Sequence, residues 1–319
     1  MRAPVPRRPS PLLFSTFMTD PQASPRQPAS IARPHWGAEA LWQALVPLLP
    51  GLSIEVVQTL DSTNSELTER LRNASRVQAT PSDRRGVRMD DLFPQLLVAI
   101  DQTAGRGRLG RRWHSTAGSS LTFSLALPLA RTDWSGLSLA VGLALVEALD
   151  PDGHRLGLKW PNDLILREAG DESREDKGLA TGRKLGGILI ESVAVGERRA
   201  AVIGIGINVI PQPVAEADYG AAALTELWPE ATPQDVLARI GEPLVRTLLA
   251  FDRDGFAPLQ DAYAHRDVLR GQVVRTTDRA MPEGVAAGVD ADGALKVAGG
   301  GQTRRVLSGE VSVRLAGIA

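Results

Sequence analysis

The chain has 319 residues, a formal net charge of −1 and no cysteine. Disulfide bonds and thiolate chemistry are therefore excluded, and a charge this close to zero argues against general affinity for nucleic acid or acidic membranes. Only four histidines are present, so a zinc site is not expected. No apolar run reaches the length of a membrane-spanning helix. These totals predict a soluble, cytoplasmic protein of one large domain or two.

The N-terminal part of the chain is expected to hold little structure before its first helix. Residues 1–35 are rich in Pro, Arg and Ser and are predicted to be disordered. They are too few and too rich in proline for a helix-turn-helix module, so no DNA-reading domain is expected. Apolar residues at helical spacing predict a helix over residues 38–49, which Pro50 and Gly51 end. Residues 53–57 predict a short strand.

Small polar residues follow this strand. Ser62 or Thr63 can cap a helix that runs to about Leu71, and together with Asn64 they place hydroxyl and amide groups at its positive end. Such groups suit a ligand, but plain helix capping accounts for them as well. Residues 72–92 are polar with clustered charges, and they are predicted to form a loop insertion.

The most distinctive stretch is a cationic, glycine-containing loop at residues 105–113. It follows the apolar run 96–100, which predicts a buried strand, and precedes residues 119–127, which alternate like a strand. From residue 105 to residue 112 it carries four arginines and no acid. Glycines let the backbone curl, and guanidinium groups suit phosphate or carboxylate. The loop is therefore predicted to close over an anionic ligand.

Two other interpretations of this loop compete. Gly105, Gly107 and Gly110 spell the G-x-G-x-x-G fingerprint of dinucleotide-binding folds, which requires a helix directly afterwards and an acid about 20 residues later. Here a strand pattern follows, and the first acid after the loop is Asp133. The other interpretation is a basic surface turn that contacts nucleic acid, against which the near-neutral net charge counts.

A second block of unusual sequence follows a helix predicted over residues 134–149. Residues 156–166 predict two strand pieces broken at Pro161. Lys159 ends the first apolar run. Its alkyl stem either carries the ammonium group to the surface or places that charge in a cleft. Residues 168–183 are predicted to be a charged loop.

Residues 184–191 and 200–209 predict a pair of strands that contain glycines. A glycine inside a strand usually marks a close backbone approach, here to a flat ligand lying across the sheet, although a bulge or tight packing explains it equally. The glycines concerned are Gly186, Gly187, Gly204 and Gly206.

The C-terminal part changes character after two helices predicted over residues 233–251 and 256–265. From residue 268 onward, short alternating pieces are separated by turns, and Asp290 to Gly293 is typical of a hairpin turn. This pattern predicts a small antiparallel β domain, closed as a barrel.

Five of these stretches resemble, in order and spacing, the signature blocks of biotin protein ligases. They are residues 60–64, 105–113, 159–163, 184–191 and 204–208, and the resemblance extends from about residue 54 to the C terminus. It implies an α+β fold in which a mixed β-sheet flanked by helices, of the class II synthetase-like biotin/lipoate ligase type, occupies residues 36–267. An SH3-like β-barrel would occupy residues 268–319. The resemblance is to the monofunctional type without an N-terminal DNA-binding domain.

What the resemblance implies is a two-step ligase reaction. The biotin carboxylate attacks the α-phosphate of ATP, giving biotinyl-5′-AMP and pyrophosphate, and a lysine of an acceptor protein then takes the biotinyl group. Biotin, ATP and Mg²⁺ are the expected substrates and ion. The expected partner is the biotin carboxyl carrier protein or domain of acetyl-CoA carboxylase, with no specific DNA and no membrane. A homodimer is compatible, because some family members dimerise through the catalytic sheet.

The resemblance also assigns roles to individual residues. Lys159, Arg106 and Arg108 are expected to be catalytic, because two unit charges of like sign 4 Å apart repel by about 4 kcal/mol at an effective dielectric near 20, and cations cancel that repulsion. The implied biotin-binding residues are Ser62, Thr63, Asn64, Gln102, Gly105, Gly107, Lys159, Gly187 and Gly204. The implied nucleotide-binding residues are Arg106, Arg108, Trp113, Asn162 and Asn208. No metal ligand of the protein is implied.

Two rival functions remain open at this point. A lipoate–protein ligase or transferase would share the fold and the adenylate chemistry, although the arginine-rich loop and Trp160–Pro161 favour biotin. A non-enzymatic Gly/Arg nucleic-acid-binding protein would instead show salt-sensitive binding to RNA or DNA.

Overall fold

The computed structural model describes residues 36–77, 92–168, 182–195, 198–212, 220–307 and 313–315. The disorder predicted for residues 1–35 lies outside the described residues, as do most of the two predicted loop insertions. Residues from Trp36 onward form one compact unit.

The helices of the described residues follow the predicted order. They are α1 Ala38–Leu45, α2 Thr63–Val77, α3 Leu137–Leu149, α4 Pro233–Asp254 and α5 Gln260–Arg266. Helix α1 ends before residue 49 because Pro47 cannot donate a helical hydrogen bond. Residues 72–77 are helical, so the prediction of a loop there was wrong: this stretch lacks Gly and Pro, and its charges do not prevent a helix. None of these helices is long and apolar enough to cross a bilayer.

The larger sheet has seven strands in the order β1-β2-β3-β7-β6-β5-β4. They are β1 Ser53–Leu60, β2 Gln95–Gln102, β3 Ser120–Pro128, β4 Leu156–Lys159, β5 Asp163–Leu166, β6 Arg183–Val195 and β7 Arg198–Asn208. Strands β1 and β2 are parallel, and every other neighbouring pair is antiparallel. The predicted mixed sheet is therefore confirmed, including the break between β4 and β5, where the Trp160–Pro161 peptide bond is cis.

The smaller sheet is antiparallel throughout, with the order β11-β10-β9-β8-β12. Its strands are β8 Val273–Thr276, β9 Glu283–Val289, β10 Leu295–Gly299, β11 Gln302–Val306 and β12 Val313–Leu315. The predicted boundary between residues 267 and 268 lies between α5 and β8.

One apolar core joins the two sheets. Helix α3 is buried nearly all round because it packs against α4 on one side and against β4 and β6 on the other. Leu295 and Val297 of the smaller sheet belong to the same buried cluster as α3. The indole Nε1 of the fully buried Trp160 donates to the carbonyl oxygen of Gly293 at 3.0 Å. The smaller sheet is thus packed directly behind the strand that carries Lys159.

The link between α5 and β8 buries an acid. Oδ1 of Asp267 accepts a hydrogen bond from Leu269 N at 2.9 Å, whereas its Oδ2 and the hydroxyl of Tyr263 have no partner among the described residues. Burial raises the pKa of Asp267 to about 6, although the backbone N–H of Leu269 and the charges of Arg270 and Arg167 act to lower it. Ionised Asp267 is consequently a cost to the folded state.

The substitution Asp267→Asn tests this assignment. Because the folded-state pKa is raised, Asp267 contributes stability that is present at low pH and lost as the pH rises through about 6. Asparagine keeps the acceptor for Leu269 and cannot ionise, so its free energy of unfolding at about pH 8 should exceed that of the wild type by up to about 3 kcal/mol. Urea denaturation at several pH values should show the gain shrinking toward about pH 4. A difference that does not change with pH would contradict the assignment.

Candidate active site

A cavity of about 410 Å³ lies where α2, the end of β2, the cationic loop and strands β3 to β7 meet. All the residues that the sequence assigned to a site line it, with the exception of Gly105. The assigned residues that line it are Ser62, Thr63, Asn64, Gln102, Arg106, Gly107, Arg108, Trp113, Lys159, Asn162, Gly187, Gly204 and Asn208. Residues separated by more than 140 positions are thereby brought to one site.

Gly105 lies beside the cavity but does not line it. It is buried, and a Cβ atom there would lie 2.6 Å from the carbonyl oxygen of Trp113 and 3.1 Å from Nε2 of Gln102. Its own carbonyl oxygen accepts a hydrogen bond from Trp113 N at 2.9 Å. Gly105 thus lets two backbone segments of the loop approach each other, and its contact with biotin stays a prediction.

The cationic loop, residues 105–113, is called the lid from here on. It is a tight hairpin, in which Gly107 N donates to Arg111 O at 2.8 Å. At its tip, Leu109 has a φ of 56° and is 61% exposed. A left-handed conformation disfavours a residue with a Cβ, so the tip is held in its shape by the hairpin hydrogen bonds rather than by its own preference.

Two lid arginines are fixed by partners on other elements. Nη1 of Arg106 donates to Oγ of Ser65 on α2 at 3.1 Å, and Nη2 donates to Oε1 of Glu191 on β6 at 3.1 Å. Nη1 of Arg108 donates to Oδ1 of Asn162 at 3.3 Å. Burial lowers the pKa of Arg108 below its usual value, and nearby Asp163 acts in the opposite direction. Arginine still stays charged at neutral pH.

Two lysines complete the cationic side of the cavity. Lys159 at the end of β4 is only 5% exposed, so its charge faces the cavity and does not reach the outer surface. Nζ of Lys184 lies 2.6 Å from Oδ1 of Asp163 and 6.0 Å from the ring centre of Trp113. Neither Lys184 nor Asp163 was assigned to the site from sequence, although both stand inside the recognised blocks.

The other side of the cavity is polar and uncharged. Thr63 N donates to Oε1 of Gln102 at 2.8 Å, and Oγ1 of Thr63 lies 2.6 Å from Oγ of Ser124. Oγ of Ser124 donates to Oδ1 of Asn64 at 2.6 Å, and Oγ1 of Thr63 donates to Oε1 of Gln102 at 3.2 Å. Nδ2 of Asn64 donates to Oε2 of Glu191 at 2.9 Å. Ser124 and Glu191 were missed because they act behind the cavity wall.

Ser62 both caps helix α2 and lines the cavity. Ser65 N donates to Oγ of Ser62 at 3.4 Å, and Ser62 is 4% exposed and lines the cavity. The first turn of α2 therefore presents its positive end to the cavity.

The strand glycines make room for side chains. A Cβ on Gly204 would lie 2.2 Å from Oδ1 of Asn64, and one on Gly206 would lie 2.4 Å from the ring of Trp113. At these two positions the tight-packing interpretation is the right one. A Cβ on Gly187 would meet nothing closer than 3.5 Å.

Comparison with known proteins agrees with this geometry. Residues 89–208 match the Biotin/lipoate A/B protein ligase family, and residues 272–314 match the Biotin protein ligase C terminal domain. The fold and the cavity thus define a catalytic domain of the biotin/lipoate ligase class.

Individual relatives show which family of this class the chain belongs to. The chain is 32% identical over 270 residues to the biotin–[acetyl-CoA-carboxylase] ligase of Mycobacterium tuberculosis, with 81% of this chain and 88% of the relative covered. It is 30% identical over 276 residues to the bifunctional ligase/repressor BirA of Escherichia coli, with 84% and 76% covered. The biotin protein ligase from Aquifex aeolicus in complex with biotin and ATP superposes with a TM-score of 0.64 at 25% identity, covering 83% of this chain and 99% of that one. The chain belongs to the biotin protein ligase family.

The glycine geometry gives a prediction that needs no ligand. Gly204→Ala should lower the free energy of unfolding by about 1–3 kcal/mol, because its methyl group overpacks the hydrogen-bonded Asn64. Gly187→Ala is the matched control on the neighbouring strand β6, and it should be neutral or slightly stabilising, since its methyl group meets only ordinary contacts. Urea denaturation of both variants measures the difference. Equal effects would show that Asn64 is not held against β7.

Proposed function

We propose that this chain is the ligase that attaches biotin to a carrier protein, with biotinyl-5′-AMP as the intermediate. The observation that carries this proposal is the division of one cavity into a cationic side and an uncharged polar side. Arg106, Arg108, Lys159 and Lys184 bring positive charge from three separate parts of the chain. A substrate with an acid at one end and a neutral polar ring at the other fits this division.

The cationic side suits the first step. A carboxylate must approach the α-phosphate of ATP, so two anions come together while further charge develops on the phosphate. Lys159, with its buried ammonium group, is assigned to the carboxylate and the reacting phosphate. Arg106 and Arg108 are assigned to the adenylate, which the lid would cover and keep from water.

The polar side suits the ureido ring of biotin. That ring has two N–H donors and one carbonyl acceptor, and it needs partners of both kinds. Ser62, Thr63, Asn64 and Gln102 supply hydroxyl and amide groups that already have partners within the protein. Thr63 is hydrogen-bonded to Gln102 and, through Ser124, to Asn64, and Oγ of Ser62 accepts from Ser65 N. A polar network fixed in advance binds such a ring without first having to be ordered. The cavity volume of about 410 Å³ is of the size that small-molecule sites have.

Mg²⁺ fits this site as an ion that arrives with the nucleotide. Among the described residues, no group of three or more His, Cys, Asp or Glu side chains could hold a metal ion. Mg²⁺ is commonly bound by one or two carboxylates together with substrate phosphates, and Asp163 is a carboxylate at the cavity wall. Such an ion would supply positive charge at the leaving pyrophosphate.

The proposed acceptor is a lysine of the biotin carboxyl carrier protein or domain of acetyl-CoA carboxylase. Two relatives are named for that enzyme as their substrate. A lysine amine attacks only when it is neutral, and the exposed arginines of the lid, such as Arg111, lower the pKa of an ammonium group brought near them. The lack of specific DNA binding, the compatibility with a homodimer and the cytoplasmic location stay predictions.

Substrate choice can be tested directly. Purified protein is given ATP and Mg²⁺ with biotin, or with lipoate, and pyrophosphate release is measured. The proposal predicts release with biotin and much less with lipoate. Release with lipoate alone would favour the lipoate ligase alternative.

Substitution of the buried lysine tests the assigned chemistry. Lys159→Ala should slow formation of biotinyl-AMP about 100-fold or more, which is typical for loss of one charged transition-state contact. Lys296→Ala is the control, because Lys296 lies on β10 of the smaller sheet and outside the cavity. Single-turnover formation of the adenylate is the measurement. An unchanged rate in Lys159→Ala would remove this lysine from the reaction.

A further inference from the structure

A continuous hydrogen-bonded path runs behind the polar wall of the cavity. It passes through Gln102, Thr63, Ser124, Asn64, Glu191 and Arg106. Gln102 is the last residue of β2, from which the chain enters the lid, and Arg106 belongs to the lid itself. The path therefore leaves the base of the lid, crosses the wall assigned to the biotin ring and returns to the lid.

Glu191 is the link of this path that joins the wall to the lid. Its two carboxylate oxygens serve different partners, since Oε1 accepts from Arg106 at 3.1 Å and Oε2 accepts from Asn64 at 2.9 Å. Glu191 is not among the residues that line the cavity, and its side chain is 25% exposed. Its hydrogen bonds reach the cavity through Asn64 and Arg106, both of which line it.

The charge of Glu191 is needed for this link. Arg106 is 53% exposed and lines the cavity together with Arg108 and Lys159, and in the absence of an acid the repulsion of these cations would favour its movement away from the cavity. A neutral amide at position 191 could still accept from Asn64, but it would present no negative charge to Arg106. The second oxygen of the carboxylate is thus specific for the lid.

We propose that Glu191 is a positioning residue, which holds Arg106 over the cavity and couples the wall that binds the biotin ring to closure of the lid. This inference rests on the proposed function and adds a residue to it. When the ring fixes Asn64, Glu191 is fixed through the same hydrogen bond and presents its other oxygen to Arg106. The lid then retains the adenylate until the carrier lysine arrives.

The test measures how long the adenylate stays bound. Full-length protein forms labelled biotinyl-AMP from biotin and ATP, with pyrophosphatase present, and an excess of unlabelled biotinyl-AMP is then added. Glu191→Gln should release the label about tenfold faster than the wild type, as expected for loss of a partly exposed charge-assisted hydrogen bond. Its thermal unfolding midpoint should match that of the wild type. Release at the wild-type rate would overturn the proposal.

A matched control and a double-mutant cycle separate positioning from general damage. Glu55→Gln removes a comparable ion pair, in which Glu55 on β1 lies 2.7 Å from Arg70, and it should leave release unchanged. In an Arg106→Gln background, adding Glu191→Gln should change release by less than about twofold, because the lid partner of Glu191 is already lost. A full tenfold effect in that background would overturn the proposed route.

The same experiment keeps this inference distinct from the proposed function. Wild-type protein that forms no labelled adenylate would refute the biotin ligase function itself. Wild-type protein that forms and retains the adenylate, together with a Glu191→Gln variant that retains it equally well, would refute only the role of Glu191.

Discussion

The repulsion between like charges is the constraint on which this site depends. Several cationic side chains surround one cavity of about 410 Å³, and each must stay there before any anion arrives. The structure achieves this by giving cations fixed partners on different elements: Arg106 pairs with Glu191, Arg108 with Asn162, and Lys184 with Asp163. Among the residues that the structure describes, six Arg and Lys side chains line the cavity against a single acid, Asp163, so the field inside it stays positive for a carboxylate and a phosphate.

Glycines in the larger sheet make room for the side chains of this site. Two glycines of β7 let the side chains of Asn64 and Trp113 lie directly on the strand, which brings the start of α2 and the end of the lid down to the same surface. The cavity is therefore shaped by close packing on one side and by the hairpin of the lid on the other. Behind β4, the hydrogen bond from Trp160 to Gly293 ties the strand of Lys159 to the smaller sheet. The smaller sheet thus supports the position of a cavity lysine from outside the cavity.

The sequence predicted those parts of the site that are local. Each of these parts is a contiguous block of sequence, and its residue types indicate its chemistry. They are the lid, Lys159 with its neighbours, and the strand pair β6–β7. Ser124 and Glu191 could not be found in this way, because their roles come from contacts with Asn64 across 60 and 127 positions of the chain. The strand order, in which β3 separates β2 from β7, also depends on contacts between distant parts of the chain and could not be predicted. The same holds for the strand glycines, which pack against side chains from distant elements.

A crystal structure of the protein with biotin and ATP would show whether the cations of the cavity meet the acid end of biotin. The distance to measure is that from the biotin carboxyl carbon, or from the phosphorus of the adenylate formed in the crystal, to the nearest cationic nitrogen of Lys159 or of the lid. We expect direct contact, with the ureido ring against Thr63 and Gln102. Biotin bound elsewhere, with no basic group touching its acid end, would show that the cations of this cavity do not serve the reaction.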